Sequence, residues 1–537
     1  MQNKPSKCVF STDNINMPNK EQKDIKQNKP SKCVFSNIKS DNSDNSNIKK
    51  PSKCVFDIPI KEQKKDEPKQ QLKPVFNFPS KEKKYTQNFV KTNFQIPNPT
   101  SISINKYEYP NETIYNFKQF KKQKYEPFGT QWIHDEQVDD NLNKEILRKT
   151  EIVKQLMAID YPAQRSEQWF LKRDGAITAS DGGCVVNENH YELPYKFILK
   201  KLGKAPFVNN EHCYHGKKYE SIATMVYEYR CNVKVEEFGL VIHPKYSFLA
   251  ASPDGIVGLY KADRKHLTQY TGRMVEIKCP VTRKIKTEGN IKGDICPDYY
   301  WVQVQLQLEC CNLDECDFWQ CEITQYQTRQ DFIDDTDVLE PFRSKTTGME
   351  KGAVIQLLPK NKYKDFVDES GKNDIYMYNQ IMYEHAKIIY PPKIEMTPYE
   401  YDMWIAETMQ EINNNYPEYS FDRIFYWKFE KTHCTTIYRD VEWFKVHLPI
   451  LTKMWDYVLF LRQNKDKAEL ICNYIDSMTK PKTKSKFNIV SEKTNEKIMK
   501  VIDNICCVPD NKSAKNKYDI MLNNLEDEIK ENNKKYS

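Results

Sequence analysis

Apolar periodicity is missing from the first 130 residues of this 537-residue chain and begins near Asp139, so any core must come from the later residues. The leading stretch is rich in Lys, Asn, Gln, Ser and Pro. Such a composition cannot bury enough apolar surface to offset the entropy of ordering it. Residues 1–138 are therefore expected to form a disordered tail. Charge divides at the same place. Residues 1–130 hold 25 Lys, no Arg and 13 Asp or Glu, a net of +12, whereas the whole chain carries +7 and the remainder −5. A tail of this kind either attracts nucleic acid by neutralising phosphates or is simply a solvated segment.

The tail contains a repeat. Lys4-Pro5-Ser6-Lys7-Cys8-Val9-Phe10 recurs at residues 29–35 and 50–56, with a shortened echo at Lys73-Pro74-Val75-Phe76. Seven residues are too few for a solenoid unit. The unit reads as a basic linear motif with an apolar Cys-Val-Phe end, and repetition would raise avidity. Tandem duplication without function is the alternative. Its cysteines are too far apart, and too far from any His, for a zinc site.

Several classes are excluded. No run of about 18 apolar residues exists, so no membrane span is expected. Met1-Gln2-Asn3-Lys4 opens no apolar signal segment, so an intracellular rather than secreted protein is expected. The 16 cysteines follow no regular framework and read as reduced thiols. Cys310, Cys311, Cys316 and Cys321 cluster without iron–sulfur spacing and read as core thiols. No Gly-x-x-x-x-Gly-Lys-Ser/Thr loop indicates an ATP-driven motor.

Beyond residue 139, helical spacing covers residues 144–157, 195–202 and 214–229. Gly175 marks a turn, and Ser180 is expected to cap the next helix. Residues 233–243 and 247–259 read as a hairpin, 274–280 as a third strand, 298–311 as a helix and 317–323 as a fourth strand. Residues 376–390 and 399–413 read as helices. Residues 424–431 and 433–438 read as a second hairpin. A helix at 442–461 is expected to break at Pro449. Short helices are expected at 468–478 and 519–532.

Two of these strands carry chemistry. Ala251-Ser252-Pro253-Asp254-Gly255 and Val275-Glu276-Ile277-Lys278-Cys279 together offer two carboxylates and one ammonium. Glu276 and Lys278, two apart on a strand, share a face, and Ile277 points to the other. A surface ion pair would be the plain account of Glu and Lys, and a turn the plain account of Pro-Asp-Gly. The apolar neighbours Met274, Val275, Ile277 and Cys279 make the strand look buried, where a charge needs a partner or a metal. Two such carboxylates can hold Mg²⁺, and an ammonium beside them can act on water or on a phosphate's charge.

Five segments in collinear order carry a resemblance. They are Arg173-Asp174-Gly175-Ala176-Ile177-Thr178-Ala179-Ser180, His215-Gly216-Lys217-Lys218-Tyr219-Glu220, Ser252-Pro253-Asp254-Gly255, Glu276-Ile277-Lys278-Cys279-Pro280 and Tyr300-Trp301-Val302-Gln303-Val304-Gln305. Over residues 160–325 the chain resembles the YqaJ viral recombinase family, which includes bacteriophage lambda exonuclease. A looser echo lies at residues 439–444. The Lys, Asn and Ile-rich style resembles a large DNA virus protein, which would act in the host cytoplasm or a viral factory or be packaged in a virion.

The resemblance implies an α/β fold with a restriction-endonuclease-like core, a central mixed β-sheet flanked by helices. It implies a nuclease domain over residues 139–464, with an insertion at about 330–420 and a charged, partly helical tail at 465–537. It implies a Mg²⁺-dependent 5′–3′ exonuclease, with Mn²⁺ as a substitute, acting on double-stranded DNA with free ends. Asp254, Glu276, Lys278, Gln303 and Gln305 would be catalytic. Glu220, Asp254, Glu276 and the Ile277 carbonyl would hold the metal. Arg173, Ser180, Ser252 and Arg165 would bind the 5′-phosphate or DNA. Gln303 is preferred over Gln305, because two residues apart on a helix do not share a face, whereas Gln303 and Gln307 do. A single-strand annealing protein is the implied partner and a homo-oligomer, by analogy a ring-shaped trimer, the implied assembly. A structure-dependent endonuclease, a DNA/RNA nuclease of this fold and a non-catalytic DNA-end-binding scaffold are the alternatives.

Overall fold

The computed structural model describes residues 140–162, 164, 166–205, 209–366, 374–479, 490–508 and 512–536. The heptapeptide repeats and Arg165 lie outside them.

The described chain opens with α1 (Asp140–Met157), α2 (Glu167–Asp174), β1 (Ile177–Thr178), α3 (Ala179–Val185), α4 (Pro194–Lys201) and α5 (Glu211–Cys231). Strands β2 (Val235–Glu236), β3 (Val241–Ile242), β4 (Leu249–Ala251), β5 (Gly255–Val257) and β6 (Met274–Lys278) come after them, then α6 (Asp298–Cys311) and β7 (Glu315–Gln325). Next come α7 (Arg329–Asp334), β8 (Lys351–Pro359), α8 (Tyr363–Phe366), α9 (Ile375–His385), β9 (Lys387–Ile389), α10 (Pro398–Asn415) and β10 (Tyr419–Tyr438). Four helices end the chain: α11 (Val441–Gln463), α12 (Lys465–Thr479), α13 (Glu492–Cys506) and α14 (Lys512–Tyr536).

Seven strands form one sheet in the order β2-β5-β6-β7-β10-β8-β9. Only β6 and β7 run parallel in it; the other neighbours are antiparallel. A parallel pair needs a crossover, and α6 supplies it. A second sheet, β1-β4-β3, is built from short segments. The mixed sheet flanked by helices is the architecture expected from the sequence.

Strand β6 shows how the layers form. Met274 joins a core with residues of α6, α3 and α11, while Val275, Ile277 and Cys279 join one with Tyr219, Ile222, Val226 and Trp319. The two-residue alternation thus serves a helix layer on each side, which is why the strand reads as almost continuously apolar. Residues 330–420, expected as an insertion, supply β8 and β9 to this same sheet. Helix α10 covers them through Tyr401, Ile405 and Ile412 against Ala353, Ile355 and Leu357.

Several local expectations are corrected. The segments at 233–243 and 247–259 are antiparallel but do not form one hairpin. β3 pairs with β4 in the small sheet and β2 with β5 in the large one. Pro253 has no N–H to donate, so the second segment breaks at Ser252-Pro253-Asp254. The hairpin at 424–438 is one 20-residue strand, whose first half pairs with β8 and second half with β7. No Gly, Pro, Asn or Asp lies between Phe429 and His433 to turn it, and a bulge between Phe429 and Lys431 takes up the irregularity. Helix α11 runs through Pro449 without a break. The helical segment read at 376–390 ends at His385 and gives way to β9. Ser180 is not the cap of α3: Thr178 is, and its N–H and hydroxyl donate to Asp181 Oδ2 at 3.3 and 2.8 Å.

Candidate active site

The site is assembled where β5 and β6 meet the start of α3. Gly255 pairs with Val275 across these strands, which sets Asp254 beside Glu276. A side chain at Gly255 would come within 2.2 Å of Val235 Cγ1, so only glycine lets β5 close on β2 here. Asp254 is fastened to β6 by the Ile277 N–H, which donates to its Oδ2 at 2.7 Å.

Glu276 is fully buried. Gln303 Nε2 donates to its Oε1 and Gln307 Nε2 to its Oε2, both at 2.7 Å, and Lys278 Nζ pairs with Oε1. Gln303 and Gln307 lie one turn apart on α6, so one helix face grips both carboxylate oxygens. Gln307 was not among the sequence candidates, although the i, i+4 spacing was visible. The role expected of Gln305 is corrected. Its amide donates to Tyr438 O at 3.0 Å and accepts from Asp440 N at 2.6 Å, away from Glu276. Two residues along a helix turn a side chain by about 200°, to the opposite face.

Glu220, from α5, reaches the same cavity. Burial, then Glu276, then Glu220 push the Asp254 carboxyl well above the usual range, only partly offset by Lys278. Burial alone would depress the Lys278 ammonium, but Glu276 and Asp254 outweigh it and hold it above the ordinary lysine value. Two carboxylates, Glu276 and Asp254, act on the one ammonium, and Glu220 adds its charge at Asp254. The excess negative charge and the hard oxygen donors suit a divalent cation such as Mg²⁺. Among the described residues no group of three or more Asp, Glu, His or Cys side chains is drawn together closely enough to hold a metal ion. Gln307 Oε1 is buried with no hydrogen-bond partner among the described residues.

On the opposite wall, the Arg173 guanidinium lies 4.4 Å from the Trp169 ring centroid and donates to Thr178 Oγ1 and Ser180 Oγ at 3.3 and 3.2 Å. The neighbouring carboxylates are engaged elsewhere. Asp174 pairs with Arg462 at 2.8 Å, and Asp181 with Lys200 and Lys201. Burial favours a protonated Asp181, but those two lysines outweigh it and hold its carboxyl below the usual range. Ser252 lines the cavity with both roles of its hydroxyl in use, donating to Gly239 O at 3.1 Å and accepting from Trp169 Nε1 at 3.3 Å. Arg173, Ser180, Glu220, Ser252, Asp254, Gln303 and Gln307 line one cavity of about 150 Å³. Lys218 faces elsewhere, 3.8 Å from the Phe425 ring, where burial pushes its ammonium down to about 7. Sequence reasoning also passed over Arg283, which donates to Gln320 at 2.9 Å above the Tyr300 ring.

Comparison with known proteins bears on this arrangement. Residues 168–314 match the YqaJ-like viral recombinase domain, so the resemblance carried by the collinear motifs is borne out over that stretch. An uncharacterised protein of Acanthamoeba polyphaga mimivirus is 40% identical over 332 residues, 61% of this chain and 58% of its own length. A protein of African swine fever virus is 28% identical over 166 residues, 27% of this chain and 46% of its own length. The chain thus spans about half the length of these viral relatives. A crystal structure of an alkaline exonuclease from Laribacter hongkongensis is 29% identical, covering 29% of this chain and 74% of that one, with a TM-score of 0.24. The same enzyme in complex with dAMP gives the same figures. No helix among the described residues is long and apolar enough to cross a membrane.

Proposed function

We propose that this chain, which carries a YqaJ-like domain, is a divalent-metal-dependent deoxyribonuclease that digests double-stranded DNA from a 5′ end. One observation carries the reading. A guanidinium that donates to the Thr178 and Ser180 hydroxyls shares a cavity with Asp254, Glu220 and the glutamines that hold Glu276. Arg173 and the Ser180 hydroxyl offer a terminal phosphate charge-assisted hydrogen bonds. Asp254, Glu276, the Ile277 carbonyl and Glu220 would hold Mg²⁺ or Mn²⁺. When bound, such an ion polarises a phosphoryl oxygen and acidifies water. Lys278 stays protonated between Glu276 and Asp254, which suits it to neutralising charge that builds on the phosphate rather than to taking a proton. Gln303 and Gln307 hold Glu276 in position through one amide N–H each. An annealing protein as partner and a ring-shaped homotrimer belong to the same proposal, by analogy with the family.

The test uses linear duplex DNA with 5′-phosphate or 5′-hydroxyl ends, in Mg²⁺ or EDTA. Loss of the phosphorylated strand is expected in Mg²⁺ alone. Lys278→Ala should lower the rate by about 100-fold or more. Arg173→Ala should remove the preference for phosphate. Equal rates for wild type and Lys278→Ala would overturn the mechanism, and cleavage of closed circles would make the enzyme an endonuclease.

A further inference from the structure

We infer that an aromatic ledge beside this cluster stacks the unpaired base of the nucleotide whose phosphate enters the cavity. The inference deepens the proposed nuclease reading and rests on it. Lys278 Nζ lies 4.5 Å from the Tyr300 ring centroid, Tyr300 lies 4.3 Å from Tyr299, and Tyr299 lies 5.8 Å from Tyr191. His190 continues the series at 3.9 Å from Tyr191. The rings lead from the buried ammonium to open solvent, tilted or edge-on to one another (51° between Tyr300 and Tyr299, 83° between Tyr299 and Tyr191), so the outermost ring, Tyr191, 69% exposed, is the one that offers a base its face.

Size argues for a base on this ledge. The cavity of about 150 Å³ is well below the roughly 300–1,000 Å³ of sites that enclose a whole ligand. A cavity of that size takes a phosphate group rather than a whole nucleotide. The base attached to that phosphate must lie outside, and an unpaired base needs a flat apolar surface in place of its lost neighbour. Aromatic side chains supply one for any base, because every base has a π-face.

The ledge is also held in place. Tyr191 N–H donates to Asn189 Oδ1 at 3.0 Å, and Lys196 Nζ donates to Tyr191 O at 3.3 Å. A side chain at Gly183 would stand 2.9 Å from Tyr299 Cα, so the glycine lets α6 press this tyrosine onto α3. A backbone already fixed loses little freedom on binding.

The test measures binding of 5′-phosphorylated duplex DNA to the full chain, with Ca²⁺ in place of Mg²⁺, by fluorescence anisotropy. The first nucleotide of the phosphorylated strand is either normal or abasic. Wild type is expected to bind the abasic end about 10-fold more weakly. Tyr191→Ala should bind both ends alike, at the weaker affinity, and Tyr191→Phe, which keeps the π-face, should restore the difference. An abasic penalty that persists in Tyr191→Ala, or that wild type lacks, overturns the ledge and leaves the nuclease reading standing. A wild-type protein that neither binds these ends nor cuts them in Mg²⁺ overturns both.

Discussion

Three glutamines on one helix separate a site residue from a structural one. Gln303 and Gln307 each spend an amide N–H on Glu276, and Gln305 spends its amide on the end of β10 and the start of α11. Partners that orient a metal-binding carboxylate are worth about 10- to 100-fold in metal affinity. Gln303→Ala and Gln307→Ala should therefore raise the Mg²⁺ concentration for half-maximal activity by about that factor, read from a metal titration of DNA cleavage. Gln305→Ala should instead cost stability, about 1–3 kcal/mol in urea unfolding, with kcat of the folded enzyme unchanged. A normal unfolding curve together with a collapsed kcat would return Gln305 to the scissile phosphate. The pairing of Gln303 with Gln307 was legible as i, i+4 spacing. Which face of α6 meets Glu276 was not, because that depends on a helix and a strand 20 residues apart in sequence.

At the scale of elements, the close contact of α3 with α6 carries the site. Gly182 faces Leu306 and Val302 across it, and Gly183 faces Tyr299. Gly183→Ala should overpack this contact and cost about 1–3 kcal/mol in denaturant unfolding. Because α3 begins beside Ser180, the same change should raise KM for 5′-phosphorylated ends more than it lowers kcat. An unchanged KM would detach the α3 contact from substrate binding. Helices were the more legible elements, since their signal is local. The helix at Asp298–Cys311 was read at its full length. Helix α13 went unread although Ile498, Ile502 and Ile505 mark a helical stripe, and all three are buried. Strand β10 was misread as a hairpin because two partners along one strand look, in sequence, like two strands.

Across the whole molecule, α1 is tied to the sheet by charge as well as by apolar contact. Glu315 on β7 meets Lys149 of α1 at 2.7 Å and Arg273 at 3.5 Å. Burial would raise its carboxyl, but Arg273 and Lys149 outweigh it and hold the value at about 2, against 4.5 ordinarily. A carboxyl depressed on folding stabilises the protein above its unfolded value and loses that contribution as pH falls through its folded one. Between about pH 4.5 and 2, wild type should lose on the order of 3 kcal/mol through this group. Urea unfolding at a series of pH values checks it. Glu315→Gln should be less stable at pH 6 and show a shallower acid slope, and an identical slope would remove Glu315 as the cause.

The sequence by itself determined what is local or collinear. It determined that β6 carries Glu276 and Lys278 on one face, and that five ordered motifs resemble one family. Tertiary structure decided everything that depends on distant neighbours. It decided that β8 and β9 extend the central sheet, that Gln307 rather than Gln305 joins the carboxylate, and that Arg173 donates to the Thr178 and Ser180 hydroxyls while Asp174 and Asp181 form ion pairs with other cations. The physical reason is one of range. Side-chain periodicity and turn chemistry act over a few residues, whereas ion pairs, sheet neighbours and the facing of a helix are settled by packing between segments far apart along the chain.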